Sequence, residues 1–419
     1  MRRLVVLAAL AAVFVRPAIA QSSPYIHYGV QDDAWLEYGP GALESRLDQL
    51  DALGVDVVRV TVDWRATEPR PGVYDWARTD LLLSGLHSHG IAPLVTLYGS
   101  PPWANGGLPE NWAPISTTSF AAFARNVAER YRYVHMWTIW DEPNQRRWLR
   151  PTTAATYVKK LLDPAYTAIH AVSPGSQVAG GVTAPRASTG GVSPVAWING
   201  MAAAHARLDA YAHNPYPLRP GETPMSGGCG HCDTITMATL PRLLRDVQKA
   251  FGVHTRIWLT EYGYQTNPPD TVLGVSYATQ AKFMSEAALC AYEAPRVDVL
   301  IHYLVQDEPD PARWQSGVYT ATDRAKPALQ ALRFPFTQQS RTGRRTTLWG
   351  QVRPGGIRPG GDATYRLLRW DAGRWVRVGG DMRTTARGYL RRVVRAAPGA
   401  RYRLWIPAER TYSAIVTVS

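Results

Sequence analysis

The chain has 419 residues, 45% of them hydrophobic and 19% charged, with 15 Trp and no low-complexity tract. That composition excludes a disordered, collagenous or coiled-coil protein and suits two or three domains. The net charge of +13 is concentrated in the tail: residues 341–419 hold 17 Arg, no Lys and four acids, whereas the first 340 residues balance at 29 basic and 29 acidic. A globally basic nucleic-acid binder is thereby disfavoured, and the tail is the part suited to an anionic contact.

Residues 1–20 read as an export signal: Arg2 and Arg3, the 12-residue apolar run Leu4–Val15, then Ala18-Ile19-Ala20 before Gln21. The run is too short to span a bilayer. No later stretch is long and apolar enough either, so a secreted protein with no membrane contact after cleavage is expected. From residue 21 to 336, eight short apolar runs alternate with amphipathic stretches. The runs end near Gly29, Val62, Tyr98, Trp140, Val182, His213, Glu261 and Tyr303. The stretches include Ala42–Leu53, Phe120–Tyr131, Ala154–Val172, Met237–Phe251 and Tyr277–Tyr292. Continuous apolar strands suit a parallel sheet buried on both faces, and eight strand–helix units predict an α/β fold, a (β/α)8 barrel. A doubly wound sheet would carry a Gly-rich phosphate turn after its first strand, and Tyr28-Gly-Val-Gln-Asp-Asp33 is no such turn.

Cys229 and Cys232 lie in a Gly-rich loop after the sixth run, where a short disulfide is the expected state in an oxidising compartment. A zinc site built on Cys229, His231, Cys232 and Asp233 lacks a second ligand pair at suitable spacing, so no metal is expected, and no cofactor. Cys290, in an apolar helical pattern, reads as an inert thiol. Composition breaks near Thr337–Arg345. Short alternating segments then predict a small all-β sandwich over 341–419, with Trp349, Trp370, Trp375 and Trp405 in its core.

Barrel chemistry sits at the C-terminal ends of the strands, so polar groups there are the candidates. The fourth run ends in Asp141-Glu-Pro-Asn144 and the seventh in Glu261-Tyr-Gly263. Two glutamates at one barrel mouth can cleave a glycosidic bond, one protonating the leaving oxygen while the other attacks the anomeric carbon or activates water. A single glutamate at a strand end would more simply cap a loop or pair with an arginine; two on strands four and seven argue for chemistry. Trp103, Trp112, Trp148 and Trp314 fall in loops at the same end. A charge-poor cleft walled by Trp suits a neutral glycan.

Trp140-Asp-Glu-Pro-Asn144 resembles the Asn-Glu-Pro motif after strand four of clan A retaining glycoside hydrolases, most like families 39 and 5, and Leu259-Thr-Glu-Tyr-Gly263 resembles their strand-seven motif. The resemblance covers roughly residues 25–335 and implies Glu142 as acid/base and Glu261 as nucleophile. Arg59 matches the clan's strand-two Arg that orients the nucleophile, and His213 and Tyr216 match its His and Tyr near that residue. Trp64–Trp76 and Gly99–Trp103 resemble loop segments of these enzymes. Substrate-binding roles are expected for Arg59, Asp141, Asn144, His213, Tyr216, Trp103 and Trp314. The clan has Asn where this chain has Asp141, which cannot donate as an amide and which sets a second negative charge beside Glu142. The readings are a secreted retaining hydrolase of a β-linked poly- or oligosaccharide, or a carbohydrate-binding barrel that has lost its chemistry; with either, the Arg-rich tail could hold an anionic cell-wall polymer.

Overall fold

The eight apolar runs become eight parallel strands: β1 (His27–Gln31), β2 (Val57–Asp63), β3 (Ala92–Tyr98), β4 (Met136–Ile139), β5 (Gln177–Thr183), β6 (Ala210–His213), β7 (Arg256–Tyr262) and β8 (Val297–Tyr303). In the computed structural model, which describes residues 22–354 and 362–419, they pair in chain order and close through β8 on β1 into a (β/α)8 barrel. Each strand ends within two residues of its expected position. The expected export signal lies outside the described residues.

Alternate side chains of each strand point inward or outward, so the barrel has two apolar layers. Inward residues Val57, Leu94, Met136, Ala210, Ala212, Trp258, Val299 and Ile301 form a core of their own. Small residues on β5 and β6 make room for the Trp258 indole. Gly29 completes that layer, because a Cβ there would lie 2.1 Å from the Val57 carbonyl oxygen and 2.7 Å from Ile301 Cδ1. The outward layer packs Val60, Leu97, Trp137 and Ile139 against the helices, each large apolar side chain contributing about 1.5–3 kcal/mol on burial.

Helices start at side-chain caps where the sequence supplies them: Ser116 before Thr117–Arg130 and Ser276 before Tyr277–Glu293, each accepting a backbone N–H and each stabilising its helix by about 1 kcal/mol. The stretch 154–172 is not one α-helix. A π turn at Val158–Leu162 joins Ala154–Tyr157 to Asp163–Val172. Pro164 lacks an N–H and would collide with the preceding turn of a continuous α-helix, and the wider turn relieves this.

The remaining strands are antiparallel: β9 (Phe336–Thr342), β10 (Arg345–Gln351), β11 (Thr364–Asp371), β12 (Arg374–Arg377), β13 (Met382–Arg383), β14 (Tyr389–Arg395), β15 (Arg401–Ile406), β16 (Thr411–Tyr412) and β17 (Val416–Thr417). One sheet runs β14-β10-β9. The other runs β12-β11-β15-β16, with β13 on β11 and β17 on β15. Leu348 and Leu390 from the first sheet meet Leu367, Leu404 and Ile406 from the second in a shared core. The barrel is thus followed by a small all-β unit, as expected. Its first strand occupies the composition break: β9 is an edge strand whose polar outward residues hide its period.

The tail tryptophans divide differently from expectation. Trp349 points away from the small core into the barrel's outer layer, 5.4 Å from Tyr292. Trp370, Trp375 and Trp405 lie half-buried on the outer face of the larger sheet, because they alternate with the inward Leu367, Tyr402, Leu404 and Ile406.

Candidate active site

β2, β4 and β7 bring together one arginine and three carboxylates at the C-terminal end of the barrel. Arg59 points inward from the middle of β2 and is 1% exposed. Its guanidinium makes four bonds: Nε donates to Thr96 Oγ1 (2.9 Å), Nη1 to Gln31 Oε1 (2.7 Å) and to Glu261 Oε1, and Nη2 to Asp141 Oδ1 (2.7 Å). A buried cation is stable only when paired and fully hydrogen-bonded, and these acceptors supply that. Tyr216 Oη donates to the other oxygen of Glu261 at 3.0 Å. Both oxygens of Glu261 are therefore held. Glu142 accepts at 3.3 Å from Asn214 Nδ2, whose own Oδ1 accepts from Thr260 Oγ1 (2.8 Å).

Burial pushes both glutamates up, with unequal opposition. Glu142 is raised well above the ordinary carboxylate value, first by desolvation and then by the charges of Asp141 and Glu261; the Asn214 bond and Arg59 offset this only in part. Glu261 is pushed up to about 7 by desolvation and then by Asp141, while Arg59 and Tyr216 pull it down. Since the direct cation and the phenol both serve Glu261, the proton of the pair resides on Glu142 and Glu261 carries the charge. Asp141 thus acts on both groups, not on Glu142 alone.

The backbone that presents Glu142 is strained. Trp140 and Glu142 adopt positive φ angles of 68° and 36°, costly for residues with a side chain and concentrated at functional sites. The Trp140 indole is fully buried and donates to the Trp148 carbonyl at 2.7 Å, tying the loop after β4 back on itself.

Glu142, Glu261 and Asp141 open into a cavity of about 530 Å³ lined also by Gln31, Tyr98, Trp148, Tyr216, Tyr303 and Trp314. Trp314, 38% exposed, packs 5.1 Å from Tyr216 and 5.6 Å from Tyr303. Among the described residues, none after Trp314 lines the cavity.

Four of the residues expected to bind substrate do not reach it. Arg59 lies beneath the floor as a positioning residue. Asn144 is fully buried; it donates to the Val192 carbonyl (2.9 Å) and accepts from Ala184 N–H (2.9 Å), joining the loops after β4 and β5. His213 is buried between Thr183 Oγ1 (2.8 Å) and the Ile235 carbonyl (3.0 Å), and desolvation lowers it to about 4, so it is neutral and structural. Trp103 donates to the Glu68 carbonyl (2.9 Å) and packs edge-on against Trp64, outside the cavity. Trp112 also lies outside the cavity. Nor is the cleft charge-poor: Arg147, Arg186, Arg219 and Arg313 stand at its rim.

Asn214 and Gln31 carried the same signal that marked the glutamates, a polar residue at the end of a buried strand. Cys229 and Cys232 are joined in a disulfide, so their sulfurs are not metal ligands. That loop is anchored by Arg242, which donates to the Cys232 and Gly230 carbonyls, rather than lining the cleft. Burial pushes the Cys290 thiol up to about 12, as suits an inert group.

No family profile matches the chain, and no curated protein sequence does. Solved structures do. A family 39 glycoside hydrolase from the gut symbiont Bacteroides cellulosilyticus superposes with a TM-score of 0.65 at 18% identity, over 93% of this chain and 82% of that one. The fold is that of family 39 glycoside hydrolases. A glucosidase from Croceicoccus marinus follows (TM-score 0.61, 15% identity, 92% and 96% covered), as does a monomeric β-xylosidase from Caulobacter crescentus (0.58, 15%, 90% and 96%). Both barrel and all-β unit are within the matched span.

Proposed function

We propose that this chain is an exported retaining glycoside hydrolase that cleaves O-glycosidic bonds of a β-linked poly- or oligosaccharide by double displacement. The observation that carries this reading is the placing of Glu142 and Glu261 in one cavity, with Arg59 and Tyr216 both bonded to Glu261 and Asn214 to Glu142. In the first step Glu261 attacks the anomeric carbon while Glu142 gives its proton to the departing oxygen. The ester formed on Glu261 carries no charge, so its field on Glu142 weakens and Glu142 becomes a stable carboxylate. In the second step Glu142 takes a proton from water, the water oxygen bonds to the anomeric carbon, and Glu261 leaves as the carboxylate. A carbohydrate-binding barrel without chemistry would have no use for so strained a Glu142 or so fully bonded a Glu261. The glucosidase and β-xylosidase among the similar structures support a saccharide substrate.

The tail adheres to an anionic cell-wall polymer in this reading. Its support is the outer face of the larger sheet, where Arg401 stacks over Trp370 at 4.6 Å and Arg403 over Trp375 at 4.3 Å and Tyr412 at 3.6 Å.

The test is stereochemical and mutational. Proton NMR of the first-formed sugar should show the retained anomer; an inverted anomer rules out Glu261 as nucleophile. Glu261→Ala should lose turnover and regain it with azide, giving the inverted glycosyl azide. Glu142→Ala should slow substrates with poor leaving groups by about 10²–10⁴-fold. It should spare the first step for dinitrophenyl glycosides, and azide should then release a product of retained configuration.

A further inference from the structure

The cavity is polarised from floor to rim. Its floor holds Asp141, Glu142 and Glu261, and the cation beneath them, Arg59, is already bonded to two of these and to Gln31 and Thr96. Its rim holds four exposed arginines: Arg147 after β4, Arg186 after β5, Arg219 after β6 and Arg313 after β8. Among the described residues that line the cavity, the only carboxylate above the floor is Glu308, 4.0 Å from Arg313.

Buried groups fix where these arginines stand. Gln145, 5% exposed, accepts from Ser188 N–H at 2.9 Å and donates to the Arg186 carbonyl, which pins that loop to the one after β4. Glu222, 2% exposed, accepts from Leu218 N–H at 3.2 Å and holds the turn that carries Arg219. Gln315, 1% exposed, donates to the Arg313 carbonyl at 3.4 Å. Arg147 lies over Trp148 at 5.3 Å. The backbones are anchored and the four side chains are exposed, Arg219 Nη2 also donating to the Gly227 carbonyl at 3.3 Å.

We propose that the substrate is an acidic glycan: its units outside the cleavage site carry carboxylate or sulfate groups held by Arg147, Arg186, Arg219 and Arg313, and the unit at the floor is uncharged. This rests on the hydrolase reading of the site and adds the substrate's charge pattern. Guanidinium forks match both carboxylate and sulfate, whereas Trp148 and Trp314 serve the sugar rings. An anionic group at the floor would meet three carboxylates and, among the described residues, no free cation.

The test is binding, measured by calorimetry on Glu261→Gln so that no turnover intervenes. The probes are a β-linked oligosaccharide in which glucuronate alternates with glucose, its carboxyl-reduced counterpart and a galactan oligosaccharide in which sulfated units alternate with unsulfated ones. The acidic probes should bind about tenfold or more tighter than the reduced one at low salt, and the advantage should shrink at high salt. The tighter of the two acidic probes identifies the group. Adding Arg147→Gln with Arg313→Gln, or Arg186→Gln with Arg219→Gln, should each cut the advantage several-fold. Equal binding of acidic and reduced probes overturns the proposal. So does an advantage that survives both double variants, which would place acid binding on the tail. An aryl uronide hydrolysed faster than the matching neutral aryl glycoside overturns the uncharged floor. The hydrolase reading fails separately, if the unmutated protein turns over no aryl glycoside at all.

Discussion

Asp141 acts on both glutamates of the floor. It takes one arm of Arg59, leaving the nucleophile a shared cation, and its charge raises both Glu142 and Glu261. Asp141→Asn removes that charge, so both carboxyl groups should titrate at lower pH. The whole bell of kcat/KM against pH should move to the acid side, both limbs together. A pH–rate profile checks this; an unmoved acid limb would show that Asp141 does not act on Glu261. The same electrostatics makes a stability prediction. A carboxyl whose folded value lies above its unfolded one holds its proton more tightly in the native state. Native stability therefore falls as pH rises from the unfolded value through the folded one. Glu142→Gln should melt like the parent in acid and at higher temperature than the parent above the folded value, a difference that thermal scans at several pH values would read.

At the scale of elements, the loops after β4 and β5 behave as one unit, and buried amides bind them. Asn144 makes its bonds across from one loop to the other, and Gln145 does the same beside it. Asn144→Ala leaves the Ala184 N–H and the Val192 carbonyl unsatisfied in the interior. It should cost about 2–3 kcal/mol in a denaturant titration and lower kcat/KM as Trp148 and Arg186 lose their anchorage. This is also where reading residues in sequence reached its limit. The motif around Glu142 was legible, and so was the presence of Asn144 in it. That Asn144 faces the protein instead of the sugar depends on a loop 40 residues further along, folded back on it. His213 and Trp103 went astray for the same reason: their partners, the Ile235 and Glu68 carbonyls, belong to other segments.

For the whole molecule, the all-β unit is docked on the barrel by aromatic contacts at the end away from the cavity. Tyr389 packs tilted against Tyr292 at 4.6 Å and its hydroxyl lies 3.0 Å from that of Tyr28 near the start of β1, while Arg353 covers the Tyr28 ring at 3.8 Å. β10 is consequently buried on both faces, Leu348 against the small core and Trp349 against the barrel. Trp349→Ala should cost about 3–5 kcal/mol. The parent should unfold in a single calorimetric transition, because neither part can leave without exposing that layer, and the variant should show two. Two transitions in the parent would mean that the aromatic layer does not couple the parts.

Sequence by itself determined the eight-fold alternation, the all-β tail, the strand-end glutamates and their arginine, because each depends on a local pattern: an apolar run, a period of two, or a polar group where a buried strand tolerates none. Tertiary structure alone decided how the charge is shared. Arg59 is divided between Asp141 and Glu261, whose sequence positions lie far apart, and the proton is assigned to Glu142 by burial and neighbours that no spacing encodes. The same holds for the arginine rim, assembled from four loops, and for Trp349, turned from one core to another. Electrostatic fields and packing act through space, and the order of residues along the chain does not record which side chains share a cavity wall.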